Sequence, residues 1–141
     1  MASKGRKIRL IRALLWLAAV LLAVGAAAHA AAFGRASGVI GRSGLPAFYA
    51  GTYRVFWIAD STTMMIGGTI YAAVAIRPSP ANGHLVALLA LIYVAIAILI
   101  YSFIGGFFAA HMLMAASAAA CLAGWLLSGG ANPAAGTAAE P

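Results

Sequence analysis

An all-α transmembrane four-helix bundle, N-in/C-in, with short loops and a disordered C-terminal tail, is the fold this sequence predicts. Three observations predict it. Of 141 residues, 65% are hydrophobic and 8% charged, against about 25% charged in an ordinary soluble domain, so the chain needs lipid around it. The apolar residues fall in four long blocks rather than at the three-to-four spacing of a surface helix. Five of the nine basic residues (Lys4, Arg6, Lys7, Arg9 and Arg12) lie in the first twelve positions, and basic residues flanking a span stay on the cytoplasmic side. The length suits one domain. It divides into a basic cytoplasmic tail (residues 1–9), a transmembrane domain (residues 10–128) and a tail (residues 129–141).

Spanning the hydrocarbon layer takes about 20 apolar residues in a helix. The first expected span, residues 10–33, is strongest around Leu14, Leu15, Trp16 and Leu17 and becomes alanine-rich later. It has a rival reading as a secretory signal peptide, because a basic start and an apolar centre precede Ala28-His29-Ala30, a tripeptide of the kind signal peptidase cleaves. The apolar run continues through Ala32 and Phe33 and is long enough to span, which favours an uncleaved helix. Residues 34–51 contain five glycines, a proline and two arginines. This composition predicts a flexible connector with no extended helix before Pro46; an anion-cradling loop is the alternative, although no phosphate-binding spacing is present.

The second expected span, residues 55–76, is bracketed by Arg54 and Arg77, with Tyr49, Tyr53 and Trp57 near its start. Arginine snorkels to headgroups, and Tyr and Trp prefer the interface. Pro78, Pro80 and Asn82-Gly83 then predict a turn. In the third span, residues 85–104, Ile92, Val94, Ile96, Ile98 and Ile100 alternate like a strand, but a lone strand cannot satisfy its backbone in lipid, so helix wins. Gly105-Gly106 predicts a tight hairpin into the fourth span, residues 107–127. The tail after Ser128 is mostly Gly, Ala, Pro and Asn with one acid, Glu140, and cannot bury a core of its own. With the amino terminus inside, six basic residues lie on the cytoplasmic side and three, Arg35, Arg42 and Arg54, outside, which sets the orientation.

Few polar residues lie within these spans. Asp60 is six residues past Arg54 and His111 five past Gly106, so both should sit roughly 8 to 9 Å below the outer boundary, with His29 at or just above that level. An aspartate at a helix centre costs about 2.5 to 3.5 kcal/mol, and the strongly apolar residues of this span together contribute about 2 to 4 kcal/mol. Asp60 should therefore face the bundle interior, protonated or partnered. Trp57, Asp60, Met64, Gly67 and Tyr71 share one face. Arg54 is about 120° away from Asp60, so His111 is the favoured partner. Two readings stay open: a structural hydrogen bond between two helices, or a ligand or proton-relay site built from Arg54, Trp57, Asp60, His111 and His29.

Span four carries Ala116, Ala120, Gly124 and Ser128 at every fourth position, a stripe that lets another helix approach closely. Packing inside one bundle is the favoured reading and dimerisation the alternative; Gly67 and Gly68 are the equivalent pair in span two. No cofactor or metal is expected. Met112 and Met114 are about 200° apart and cannot share a Cu(I) site facing one way, and His29 with His111 gives a single end for haem. Cys121 looks like a buried small residue. Once the topology signal is set aside, no basic, aromatic-interleaved surface remains for nucleic acid. The expected partners are anionic headgroups of the bilayer at the basic tail, and a second copy or another membrane protein at the helix faces.

Four spans in a chain of this length, the aromatic start Phe48-Tyr49-Ala50-Gly51 and the Arg77-Pro78 exit resemble small four-helix bacterial inner-membrane proteins of the DoxX-like kind, many without assigned function. The resemblance covers most of the chain but is one of layout, and no active residue is carried over by position. It implies a multi-pass inner (plasma) membrane protein. No nucleophile elbow, paired-carboxylate site or zinc cluster marks an enzyme. An accessory or structural membrane component is the expected function; the alternative is small-molecule binding or proton-coupled transport through the polar site.

Overall fold

The computed structural model describes residues 2–129, with side chains from residue 4 onward. The expected tail beyond Gly129 lies outside the described residues. Four helices make up the fold: α1 (Ala2–Gly41), α2 (Ala47–Ile76), α3 (Gly83–Phe103) and α4 (Phe108–Ser128), with a short 3-10 turn, Pro80–Asn82, leading into α3. Three stretches, Lys4–Gly41, Pro80–Phe103 and Phe108–Ser128, are long and apolar enough to cross a membrane. Helix α2 falls short of that apolarity, in line with its aspartate and its hydroxyl side chains.

The first two helices are longer than the sequence reading allows. Helix α1 has 40 residues and runs about 60 Å, twice a hydrocarbon layer of about 30 Å. The connector expected over residues 34–51 is helix up to Gly41 and helix again from Ala47, so α2 begins eight residues before the expected start at position 55. Glycine inside a helix costs about 1 kcal/mol relative to alanine, but extending an established helix is far cheaper than nucleating one. Tertiary contact adds to this: Arg54 Nη2 donates to the Ser37 carbonyl at 3.5 Å, holding the last turns of α1 against α2. The real turn spans residues 42–46, with Gly44 at φ +71°, a region open to glycine. The other two helices start and end within two residues of expectation. Gly105, at φ +90°, makes the tight turn between them, where its N–H bonds the Ile100 carbonyl at 3.1 Å.

Packing places small residues inside and large ones outside. Ala18, Ala26, Ala90, Ala97, Ala116 and Ala123 are buried, whereas Leu17, Val20, Leu88, Leu99, Phe103 and Trp125 are exposed. A water-soluble monomer rarely exposes so much contiguous apolar surface, but lipid removes the penalty and leaves close backbone approach as the favoured contact. Helix α1 packs along α2 and along α4, and α3 packs on α4. Tyr93 of α3 bridges to α2, its hydroxyl donating to the Thr63 carbonyl at 2.8 Å. Its phenol oxygen fills the place a Cβ would need on Gly67. Tyr71 and Tyr93 are the largest fully buried side chains.

Candidate functional site

The polar residues of α1 and α2 meet on one seam. In an antiparallel hairpin with a five-residue turn, residues equally far from the turn lie side by side. His29 is twelve residues before Gly41 and Asp60 thirteen after Ala47, or about 18 and 20 Å along their helices. They are level. His29 Nε2 lies 3.8 Å from Asp60 Oδ2, a Coulombic approach rather than a direct hydrogen bond.

Three further contacts fix the imidazole. The Trp57 indole stacks on it with ring centroids 4.2 Å apart and planes 8° from parallel. The same indole donates through Nε1 to the His29 carbonyl at 2.7 Å, so one side chain grips both ring and backbone. His29 Nδ1 lies 2.9 Å from Ser61 Oγ, and Ser61 Oγ also reaches the Trp57 carbonyl at 3.2 Å. Helical spacing assembles the α2 side, since Trp57, Asp60, Ser61 and Met64 recur at three and four residues. Ser61 and Met64 are buried, while the His29 and Asp60 side chains stay 27% and 32% exposed.

The hydroxyl hydrogen of Ser61 can serve one acceptor at a time. If it goes to the Trp57 carbonyl, His29 donates through Nδ1; if it goes to Nδ1, the imidazole proton sits on Nε2, facing Asp60. The cluster can therefore exchange tautomers without moving a heavy atom. Chemically it can hold and redistribute a proton, and it can clamp two helices together.

Asp60 faces His29 and not His111, the expected partner. His111 is exposed, its Nδ1 lies 3.0 Å from the Phe107 carbonyl of its own chain segment, and its ring meets Tyr101 edge-on at 5.4 Å. The pairing expected from depth does not form because α2 packs chiefly on α1, and α4 packs on α1 and α3 rather than along α2. Arg54 belongs to the same seam as His29, nearer the hairpin turn, through Ser37.

Of the small residues proposed for helix packing, Gly67, Gly68, Ala116, Ala120 and Gly124 are buried and Ser128 is half-buried. Gly124 approaches Gly83 and Ala87 of α3, Gly68 approaches the Ala19 carbonyl of α1, and Gly67 meets Tyr93. Ala116 and Ala120 are fully covered. This is packing within a single chain, and none of it needs a second copy. Ser61 and Tyr93 make contacts that residue spacing alone does not single out. Their signals were a hydroxyl beside the lone intramembrane acid and a tyrosine in the middle of an apolar span, where its O–H must find a partner.

Among the described residues, no group of three His, Cys, Asp or Glu side chains is placed to hold a metal ion. Two surface cavities lie toward the ends of the bundle. One lies near the start of α2, lined by Phe48, Thr52 and Phe56 among others, and the other lies at the opposite end of the bundle, beside Lys4 and Leu127. Neither is lined by His29, Trp57 or Asp60. No family model, curated protein or solved structure matches the chain, and no comparison identifies a DoxX-like family. What the observations establish is a small, all-helical membrane protein.

Proposed function

We propose that the chain is a multi-pass protein of the bacterial inner membrane that crosses four times, with both termini in the cytoplasm, and serves as an accessory or structural component. The observation that carries this reading is the α1–α2 seam. Its ionisable and aromatic groups contact one another across two helices, as in an internal strut. The same seam supports a crossing by α2, whose own apolarity is marginal. Arg54 reaches Ser37 near one end of α1 and Arg12 reaches the Ile76 carbonyl near the other, at 3.5 Å in each case. Helix α2 therefore runs level with α1 along most of its length and shields Asp60 against it. Arg12 also places a cation at the carboxyl end of α2, where the helix dipole favours it. The burial of Leu15, Ala18, Leu22 and Ala26 of α1 in the core supports keeping this helix as the first crossing.

Site-specific labelling of single cysteines in a Cys121→Ser background tests the topology. Cysteines at positions 44 and 105 should react from outside and one at position 79 from inside. Labelling at position 79 on the side opposite the amino terminus would overturn the fourfold crossing. For the accessory role, a photo-crosslinking residue at the exposed positions Ile66 or Leu91, used in intact cells, should give a discrete protein adduct. Adducts to lipid alone would remove that role.

The partial exposure of His29 and Asp60 favours a second reading, a binding site for a small polar or amphipathic molecule or a proton-coupled carrier. In that case Asp60→Asn should abolish the pH dependence of uptake or binding. An unchanged pH response would exclude the relay.

A further inference from the structure

At the end of the bundle remote from the polar seam, a cleft of about 560 Å³ lies between the first turns of α1 and the last turn of α4. Ile8 and Ile11 form its α1 wall and Leu126 and Leu127 its α4 wall, while Lys4 and Lys7 stand at its edge. Pro78 and Pro80 close the third side, and proline has no backbone N–H to offer a ligand. At 100° per residue, Lys4, Lys7, Ile8 and Ile11 fall within one 100° sector of α1, whereas Arg6 and Arg9 point to the opposite side. The cleft is thus oily in its depth and cationic at one rim.

Among the described residues, no carboxylate lies beside those lysines. The chain has two acidic residues, and among the described residues the only one is Asp60, which pairs with His29. The same end of the bundle also carries Arg12 and Arg77. A cationic rim above an apolar slot, at the level where α1 passes from its basic turns into its apolar run, suits a molecule with an anionic head and hydrocarbon tail.

We propose that this cleft is a binding site for an anionic phospholipid. The phosphate lies between Lys4 and Lys7, and part of one acyl chain lies along Ile8, Ile11, Leu126 and Leu127. The site is separate from the His29–Asp60 cluster. It rests on the reading that α1 enters a membrane, but not on which way the chain faces.

The test uses the full chain purified in a neutral detergent, with lipid binding followed by native mass spectrometry. Phosphatidylglycerol and phosphatidylcholine with the same acyl chains are the probes. Phosphatidylglycerol should bind on the order of thirtyfold more tightly, the effect expected of two lysines near a headgroup. The double variant Lys4→Gln/Lys7→Gln should bring it to the phosphatidylcholine level. Arg6→Gln/Arg9→Gln removes the same formal charge from the same turns and should leave the preference within about twofold of the parent. Glycerol phosphate at equal phosphate concentration should not displace the lipid, because it lacks the chain that the apolar walls hold.

Equal loss in both double variants would mean diffuse attraction to the basic segment, and would overturn the site. Displacement by glycerol phosphate would reduce the cleft to a phosphate site and overturn the acyl-chain part. Equal affinity for both lipids would overturn the proposal outright, whereas a failed topology label with lipid preference intact would fault only the fourfold crossing. Circular dichroism of each variant checks that helix content is unchanged.

Discussion

The two helical hairpins of this protein are held together by different physics. The α1–α2 hairpin is joined by polar side chains: stacking and an indole hydrogen bond at Trp57, a charge approach between His29 and Asp60, and an arginine near the turn. The α3–α4 hairpin relies on proximity. A methyl group built on Gly124 would lie 2.7 Å from the Gly83 carbonyl oxygen and 3.1 Å from the Ala87 nitrogen, and buried alanines continue the seam. Both solutions suit lipid, where burial of apolar surface no longer drives helices together, and interhelical hydrogen bonds or tight dispersion contact must do so. They should fail in different ways, since a polar seam is sensitive to chemistry and a close seam to volume.

The largest effect that could break this contrast lies on the close side. Gly124→Val should destabilise the folded chain by about 3 kcal/mol, because backbone rather than a yielding side chain stands in the way. Chemical denaturation in mixed micelles measures it, and parental stability would mean that α3 and α4 are not in contact there. Next comes the polar side. His29→Leu leaves the Asp60 carboxyl group without its neighbour and should cost about 2 kcal/mol. A double-mutant cycle with Asp60→Leu should return a coupling of about 1 kcal/mol. The same cycle run with His111 should return almost none, and the reverse ranking would restore the pairing expected from depth alone. The smallest informative change is Trp57→Phe, which keeps an aromatic ring on His29 but removes the indole donor, at about 1 kcal/mol. His111→Gln, at an exposed position, should stay within about 0.5 kcal/mol of the parent.

Helix number, two of the three connections and the inward placement of the Trp57–Tyr71 face were legible in the sequence because each follows from a local rule. Apolar length marks a crossing, Pro78 with Pro80 breaks a helix, and Gly105-Gly106 permits a reversal. The extent of α1 was not legible. Glycine propensity at positions 34, 38 and 41 is a weak prior, and the contact between Arg54 and Ser37 that outweighs it joins residues of different helices. The partner of Asp60 was missed for a related reason. Counting residues from a boundary gives depth, which His29 and His111 were expected nearly to share, but says nothing of which helices are neighbours. Had α1 been continued to Gly41, the equal spacing from the hairpin turn would have pointed to His29. The chemistry of Ser61 was hidden because a serine inside a helix more often bonds its own preceding turn, as Ser117 does with Leu113.

The arrangement of small residues at the centre and bulky ones at the periphery also inverts the usual map of mutational tolerance. In a water-soluble domain the Leu and Phe positions are the ones that cannot drift. Here an exchange among Leu, Ile, Val and Phe at Leu17, Leu88 or Leu99 leaves each neighbouring helix where it was, because the new atoms extend into fluid hydrocarbon chains. An added methyl at Ala90 or Ala116 has nowhere to go. A deep mutational scan of this protein should therefore record its least forgiving positions at its smallest side chains.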